Sequence, residues 1–486
     1  MLFNSWQYIL FFPVVVAAYF TLPHRARWAW LLGASYVFYA CWKPAYLILI
    51  VASTLVDYVV GLRMDGAESK GSRKAWLGVS LAVNLGLLFT FKYLGFANEV
   101  LRGLLHSLGW TYEVEGFDLL LPVGISFYTF QTLSYSIDVY RGDRKAERHL
   151  GYFALYVSYF PQLVAGPIER STRLLPQLWA EAKWSESRAT EGLRLIGLGV
   201  FKKVVIADRL AVFVDGVYGD PEAYPGGAAL LATVFFAFQI YCDFSAYSDI
   251  AIGSAKVLGH DLMRNFDRPY FATSIGDFWS RWHISLSTWF RDYVYIPLGG
   301  NRVREVRWFA NIAIVFVVSG LWHGASWCFV IWGALHGTYF AVERVTRKLR
   351  GTCMRALGIT RWPWLQHSLA VVTTFTLVLF AWIFFRARSL GEAGLVIERI
   401  ASGWGLGDGG LKRTLSSLGM RGSEFDTSVG LIVLLLVVQA LHGKGLASEW
   451  LARLRMPVRW AAYVLVTLVI LNYGVTQEVP FLYFQF

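Results

Sequence analysis

The chain alternates long apolar runs with short polar ones, and many of the runs have the length needed to cross a bilayer. A hydrocarbon core of about 30 Å requires about 20 mostly apolar residues in a helix. Runs that meet or approach this cover residues 6–22, 28–41, 44–62, 76–95, 118–139, 150–166, 192–214, 227–257, 308–342, 367–386, 427–441 and 459–475. At about 1.5 Å per residue the 308–342 run is too long for one crossing, and it is expected to break near Gly320 and Gly324. The pattern predicts an all-α polytopic membrane protein with about 11 to 13 membrane-embedded helices.

Basic residues fall in alternate loops: His24-Arg25-Ala26-Arg27, the 63–74 segment and the 141–148 segment. Lys and Arg are retained on the cytoplasmic side, so these loops are expected inside and the N-terminus outside. The 96–116 segment, with Glu99, Glu113 and Glu115, then falls outside. The first run lacks the basic lead and small-residue cleavage site of a signal peptide and reads as a retained span.

Composition agrees with this picture. Hydrophobic residues make up 56% and charged residues 16%, whereas soluble domains carry roughly 25% charged residues. That leaves too little polar surface for a soluble chain of this length. The 45 Lys and Arg against 33 Asp and Glu are scattered over short loops. This distribution suits membrane orientation and argues against nucleic-acid binding. Cys41, Cys242, Cys328 and Cys353 form no CxxC pair and read as buried free thiols, with neither a metal site nor a disulfide framework. The Gly-rich 393–426 stretch reads as an extramembrane loop.

Residues 259–307 break the pattern. They hold seven Arg, five acidic residues and interleaved Trp, Tyr and Phe, too polar to span lipid and too aromatic for an ordinary loop. At helical spacing Phe278, Trp282, Ser285 and Trp289 share one face, and Asp277 and Arg281 form an i, i+4 pair. The segment is expected to be an interfacial or re-entrant helix that ends in a turn at Pro297-Leu298-Gly299-Gly300. On composition alone, an amphipathic helix lying on the membrane with its Arg heads on phosphates is an open alternative.

This block contains His283, and the apolar run after it contains His323 between Gly320 and Gly324. An ionisable residue at membrane depth marks function by default, whereas His336 is expected to serve as a helix–helix hydrogen bond. The chain has no GxxxxGK[ST], GxSxG or HExxH motif. Histidine among Trp, Tyr, Ser and Arg suits general acid–base chemistry. Acyl transfer from a thioester to a hydroxyl needs little more than a base and a donor for the oxyanion. The final stretch from Pro480 to Phe486 is apolar and aromatic, suited to a membrane anchor or to a plug in a pocket.

The segments DFWSRWHISLSTWFRDYVYIPLGGNR (277–302) and GLWHGASWCFVIWGALHG (320–337) resemble the signature of the membrane-bound O-acyltransferase family. The nearer resemblance is to its bacterial branch, which includes the membrane proteins of alginate O-acetylation and teichoic-acid D-alanylation. ASYVFYACW (34–42), LPVGISFYTFQTLSYSIDVYRG (121–142), FPQLVAGPIER (160–170) and QIYCDFSAYSDIAIG (239–253) extend it along the chain. It implies one helical membrane domain over 1–486, built around a central funnel in the bacterial inner membrane. Acetyl groups would arrive from cytoplasmic acetyl-CoA, and a surface polysaccharide such as alginate would accept them.

The family's membrane histidine corresponds to His323 and its upstream partner to His283. Tyr483, in the 476–486 aromatic motif, corresponds to an acyl relay. Arg281 and Arg291, with Trp282, are expected to guide the phosphate or pantetheine end of the donor. A periplasmic hydrolase-like O-acetyltransferase is the expected partner. D-alanyl transfer to teichoic acid is the nearest alternative. A transporter or flippase is disfavoured because no internal repeat is visible, and an inert scaffold would tolerate loss of both histidines.

Overall fold

The computed structural model describes residues 1–112, 114, 116, 119–407, 409–442, 451–475 and 479–482. Glu113, Glu115, Tyr483 and the remainder of the aromatic motif apart from 479–482 lie outside the described residues. Among the described residues the regular elements are helices, with no strand. Seven helical stretches among them are long and apolar enough to cross a membrane. The chain is an all-α polytopic membrane protein.

The first helix, α1 (Trp6–Thr21), illustrates why a run that is apolar all round is stable here. Tyr8, Phe12, Val15 and Tyr19 form the buried stripe, while Trp6, Leu10 and Val14 are exposed one to two turns apart. Both faces are apolar because one packs on protein and the other meets lipid.

The described residues form two compact units: Met1–Ile196 with Tyr247–Met263, and Gly197–Ala246 with Arg264–Leu482. In the first unit α1 is followed by α2 (His24–Ala40), α3 (Leu47–Asp65), α4 (Lys70–Leu88) and α5 (Leu94–Ser107). Next come α6 (Ile125–Arg141), α7 (Leu150–Ser158), α8 (Ser171–Trp179) and α9 (Glu186–Phe201). A π-helical turn at Lys202–Ala207 then leads to α10 (Asp208–Gly219) and α11 (Gly226–Val257). The polar block contributes α12 (Ile275–Arg281) and α13 (Ile284–Phe290). Beyond it lie α14 (Glu305–His323), α15 (Trp327–Val345), α16 (Arg347–Ala356), α17 (Pro363–Arg386) and α18 (Leu390–Ser402). The last are α19 (Gly410–Ser417), α20 (Gly422–His442) and α21 (Met456–Tyr473).

In the first unit α3, α4 and α6 pack around a buried carboxylate. Asp57 accepts from Ser80 Oγ (2.5 Å), Ser136 Oγ (3.0 Å) and Asn84 Nδ2 (2.7 Å). Asn84 Oδ1 in turn accepts from Ser53 (2.9 Å) and Thr132 (3.0 Å). Where water is excluded, a carboxylate is tolerated only when its lone pairs are occupied in this way.

Three expectations need correction. The 150–166 run is not a span: α7 is nine residues long and ends at Ser158. At about 1.5 Å per residue it covers less than half of a hydrocarbon core. Tyr159 to Ile168 follow as irregular chain buried inside the protein. The Gly-rich 393–426 stretch is not a loop throughout, since it contains most of α18, all of α19 and the start of α20. Cys242 and Cys328 are buried, whereas Cys41 and Cys353 are exposed.

The irregular stretch ends at Glu169, which is fully buried and accepts a hydrogen bond from the Met263 backbone N–H. Burial pushes its carboxyl up from 4.5 to about 7, partly offset by that N–H and by Arg173 and Arg170. A carboxyl raised in the folded state binds more protons there than in the unfolded chain. Its contribution to stability is therefore present below about pH 4.5 and is lost as pH rises toward 7. Glu169→Gln is expected to abolish that dependence and to be the more stable protein above pH 7, by on the order of 3 kcal/mol. Thermal unfolding in detergent at pH 5 and pH 8 measures this, and parallel pH curves for the two proteins would refute it.

Candidate active site

The 259–307 block does not form one helix. α12 stops at Arg281, and α13 begins at Ile284. Between them His283 takes a left-handed backbone, φ 43° and ψ 55°. A non-glycine residue rarely adopts this conformation, at a cost of about 1–3 kcal/mol that the surroundings must offset. The 265–267 segment supplies the offset by running alongside the joint. Asp267 N–H donates to the Arg281 carbonyl (2.9 Å), and Ile284 N–H donates to the Asn265 carbonyl (2.9 Å). Asn265 Oδ1 accepts from Ser285 Oγ (2.6 Å). His283 Nδ1 accepts from Leu286 N–H (3.3 Å), so the imidazole caps the helix that it starts.

That bond assigns the ring proton to Nε2. Burial pushes the imidazole down to about 3, so it is neutral at physiological pH. The single-face expectation for Phe278, Trp282, Ser285 and Trp289 fails as helix geometry, because the joint resets the phase. All four are buried nonetheless.

The 308–342 run breaks where expected. Gly324, Ala325 and Ser326 separate α14 from α15, and the two helices pack as a hairpin. His323 is therefore the last residue of α14, at the hairpin turn, rather than in the middle of a helix. Its imidazole is buried and boxed by rings: Trp322 at 4.8 Å, Trp332 at 4.9 Å and Phe385 at 5.4 Å between centroids.

Trp322 links the two histidines of interest, with the His283 ring edge-on to it at 5.9 Å. His336 lies one ring further along, 4.9 Å from Trp332, and its Nδ1 accepts the Trp279 indole N–H at 3.3 Å. This bond joins α12 to α15, the structural role expected of His336. Trp282 stacks on Phe278 at 5.7 Å and meets Trp382 at 5.1 Å, so it is part of the aromatic wall.

A cleft of about 90 Å³ opens beside this wall, lined by Trp279, Leu286, Ser287, Phe290, Val315, Phe316 and Ser319. Phe316, Ser319 and His323 follow one another on α14 at spacings of three and four residues, and so share a face.

The two arginines are placed differently. Arg281 Nε donates to Asp277 Oδ1 (2.7 Å), while Thr273 N–H donates to Asp277 Oδ2 (3.0 Å). Burial works to raise this carboxyl, but Arg281 and the Thr273 N–H outweigh it and hold it below its ordinary value. Arg291 pairs with Asp292 (2.8 Å), and its side chain is 60% exposed. The structure thus brings His283, His323 and Trp282 into one aromatic cluster. The arginines occupy ion pairs of their own, and Tyr483 lies outside the described residues.

Trp322 is marked in the sequence as the neighbour of His323, whereas Asn265, Trp332 and Phe385 are positions the sequence did not single out. Asn265 lies in the polar block, where an amide beside a turn is a visible signal. The two rings carry no mark that separates them from any other buried aromatic.

A model of the membrane-bound O-acyltransferase family matches residues 146–385, which contain this whole cluster. The chain is 42% identical over 398 residues to a protein of Azotobacter vinelandii described as "probable alginate O-acetylase AlgI", covering 81% of this chain and 76% of that one. It is 37% identical to a protein of the same description from Pseudomonas putida, with both chains covered in full. A peptidoglycan O-acetyltransferase of Helicobacter pylori is 36% identical over 82% of this chain and 79% of its own length. The chain belongs to the membrane-bound O-acyltransferase family. It is a multi-pass membrane O-acyltransferase.

Proposed function

We propose that the protein takes acetyl groups from cytoplasmic acetyl-CoA, carries them across the bacterial inner membrane and supports O-acetylation of a cell-surface polysaccharide such as alginate. The observation that carries this reading is the placement of His323 at the α14 turn, one shared indole away from His283. Relatives named for acetylating alginate and peptidoglycan support the acyl group and the class of acceptor.

In this reading His323 takes the phenolic proton of Tyr483, and the phenolate oxygen attacks the thioester carbonyl. The His283 Nε2–H would orient the carbonyl or steady its developing charge. The C–S bond breaks, the thiolate leaves as coenzyme A with the proton from His323, and the acetyl group rests on Tyr483 as an ester. The acceptor hydroxyl, delivered by a periplasmic hydrolase-like partner, attacks that ester and returns the phenol. Arg291, exposed and paired with Asp292, would meet the donor's phosphates, helped by Arg281, and Trp282 would guide the donor.

Acetyl-CoA labelled on the acetyl carbon tests this with purified protein. Wild type is expected to cleave the thioester and to retain label on protein. Tyr483→Phe is expected to lose the covalent label and at least tenfold of the transfer to polysaccharide. Label and transfer that persist undiminished in Tyr483→Phe would remove the relay, and a wild type that cleaves D-alanyl-carrier thioesters but not acetyl-CoA would overturn the donor.

A further inference from the structure

The Lys202–Ala207 turn has π-type backbone bonding, an irregularity that often marks functional positions in helices. Here it gathers a distant part of the chain. Val475 N–H donates to the Val204 carbonyl (3.0 Å), and Arg209 donates to the Tyr473 carbonyl (2.5 Å). Lys203 Nζ reaches further along, donating to Asp208 Oδ1 and Asp243 Oδ1, each at 2.8 Å, and to the Pro480 carbonyl at 3.3 Å. The Phe481 ring lies 4.6 Å from the ammonium, and Leu482 N–H donates to Asp243 Oδ2 at 2.9 Å. The Lys203 side chain is 1% exposed and both carboxylates 3%.

Three buried charges are a costly way to hold a strand of chain that apolar contact alone would retain. What they add is register. The ammonium has three protons, and Asp208, Asp243 and the Pro480 carbonyl take one each. Asp243 spends one oxygen on Lys203 and the other on Leu482. Pro480 has no N–H and cannot take the place of Leu482 as donor to Asp243, so a two-residue slide of the segment loses that bond. The ring of Phe481, between them, covers the cation.

We infer that Lys203, clamped by Asp208 and Asp243, is a positioning residue that seats residues 480–482 and so presents Tyr483, the next residue in the chain, for acyl transfer. This rests on the relay proposed above. The clamp fixes the segment's register and the relay supplies the chemistry.

Hydrogen–deuterium exchange of the full-length protein in detergent, followed on peptides covering 479–486, reads the seating directly. Phe481→Ala removes the ring without stranding a charge. It is expected to speed exchange there at least tenfold, leave peptides from α3 and α4 unchanged and lower kcat for transfer to polysaccharide about tenfold at constant donor KM. Lys203→Met is expected to do more, and Lys203→Arg to recover part of the protection and part of the transfer. Should Lys203→Met not fold, Phe481→Ala decides. Unaltered exchange in Phe481→Ala overturns the seating, and faster exchange with full transfer overturns the positioning role. Full transfer by Tyr483→Phe would instead remove the relay and the presenting role with it, and exchange would still judge the seating.

Discussion

Replacing His323 with alanine is expected to lower acetyl-CoA cleavage by about 10²- to 10⁴-fold, the range for removing a general base. Rings pack against the imidazole on three sides, and the hydrogen bonds of the joint run between other residues. Asn265, Ser285, Asp267 and the Leu286 N–H keep their partners. A base that acts only as the proton moves contributes to the transition state and not to donor binding, so kcat and kcat/KM should fall together. The measurement is thioester cleavage by variant and wild type at equal folded yield. Wild-type turnover from folded His323→Ala would sink the assignment, and a rise in KM at constant kcat would recast His323 as a binding residue.

Gly320→Leu is expected to abolish the folded protein rather than the chemistry. α14 and α15 approach so closely that a Cβ on Gly320 would run into the Phe329 carbonyl oxygen, and one on Gly333 into the Phe316 carbonyl oxygen. These are backbone atoms of the facing helix and have no rotamer to change. Ordinary overpacking costs about 1–3 kcal/mol, and here the hairpin itself must separate. Because the hairpin turn carries His323, the damage reaches the site. The expected result is loss of the monodisperse peak in detergent chromatography for Gly320→Leu, with Gly86→Leu, where an added Cβ meets no atom within 4 Å, eluting as wild type. A Gly320→Leu protein that folds and turns over normally would show that the two helices have room to part.

The class of fold was legible because lipid imposes long apolar runs, and the break at Gly320 and Gly324 was legible because 35 residues cannot make one crossing. His323 stood out as an ionisable group in such a run. The joint at His283 was not legible. Nothing in FWSRWHISL announces a left-handed residue, since the conformation is enforced by hydrogen bonds from 265–267, which only the tertiary structure brings alongside. The 150–166 run misled because burial inside protein selects the same apolar residues as burial in lipid. Lys203 and Asp208 carried a signal that went unread: both lie within the 192–214 apolar run, where a charge needs a partner.

The π turn at Lys202–Ala207 has a consequence for how this chain tolerates change in length. Such a turn holds one residue more than an α-helical turn, and each residue of an α-helix advances the side chains by about 100°. The extra residue works as a phase shifter between Lys203 and α10, which begins at Asp208. A deletion there that removed no charged side chain would still swing the ammonium about a quarter turn away from the two carboxylates. At this turn the number of residues is under the same constraint as their identity.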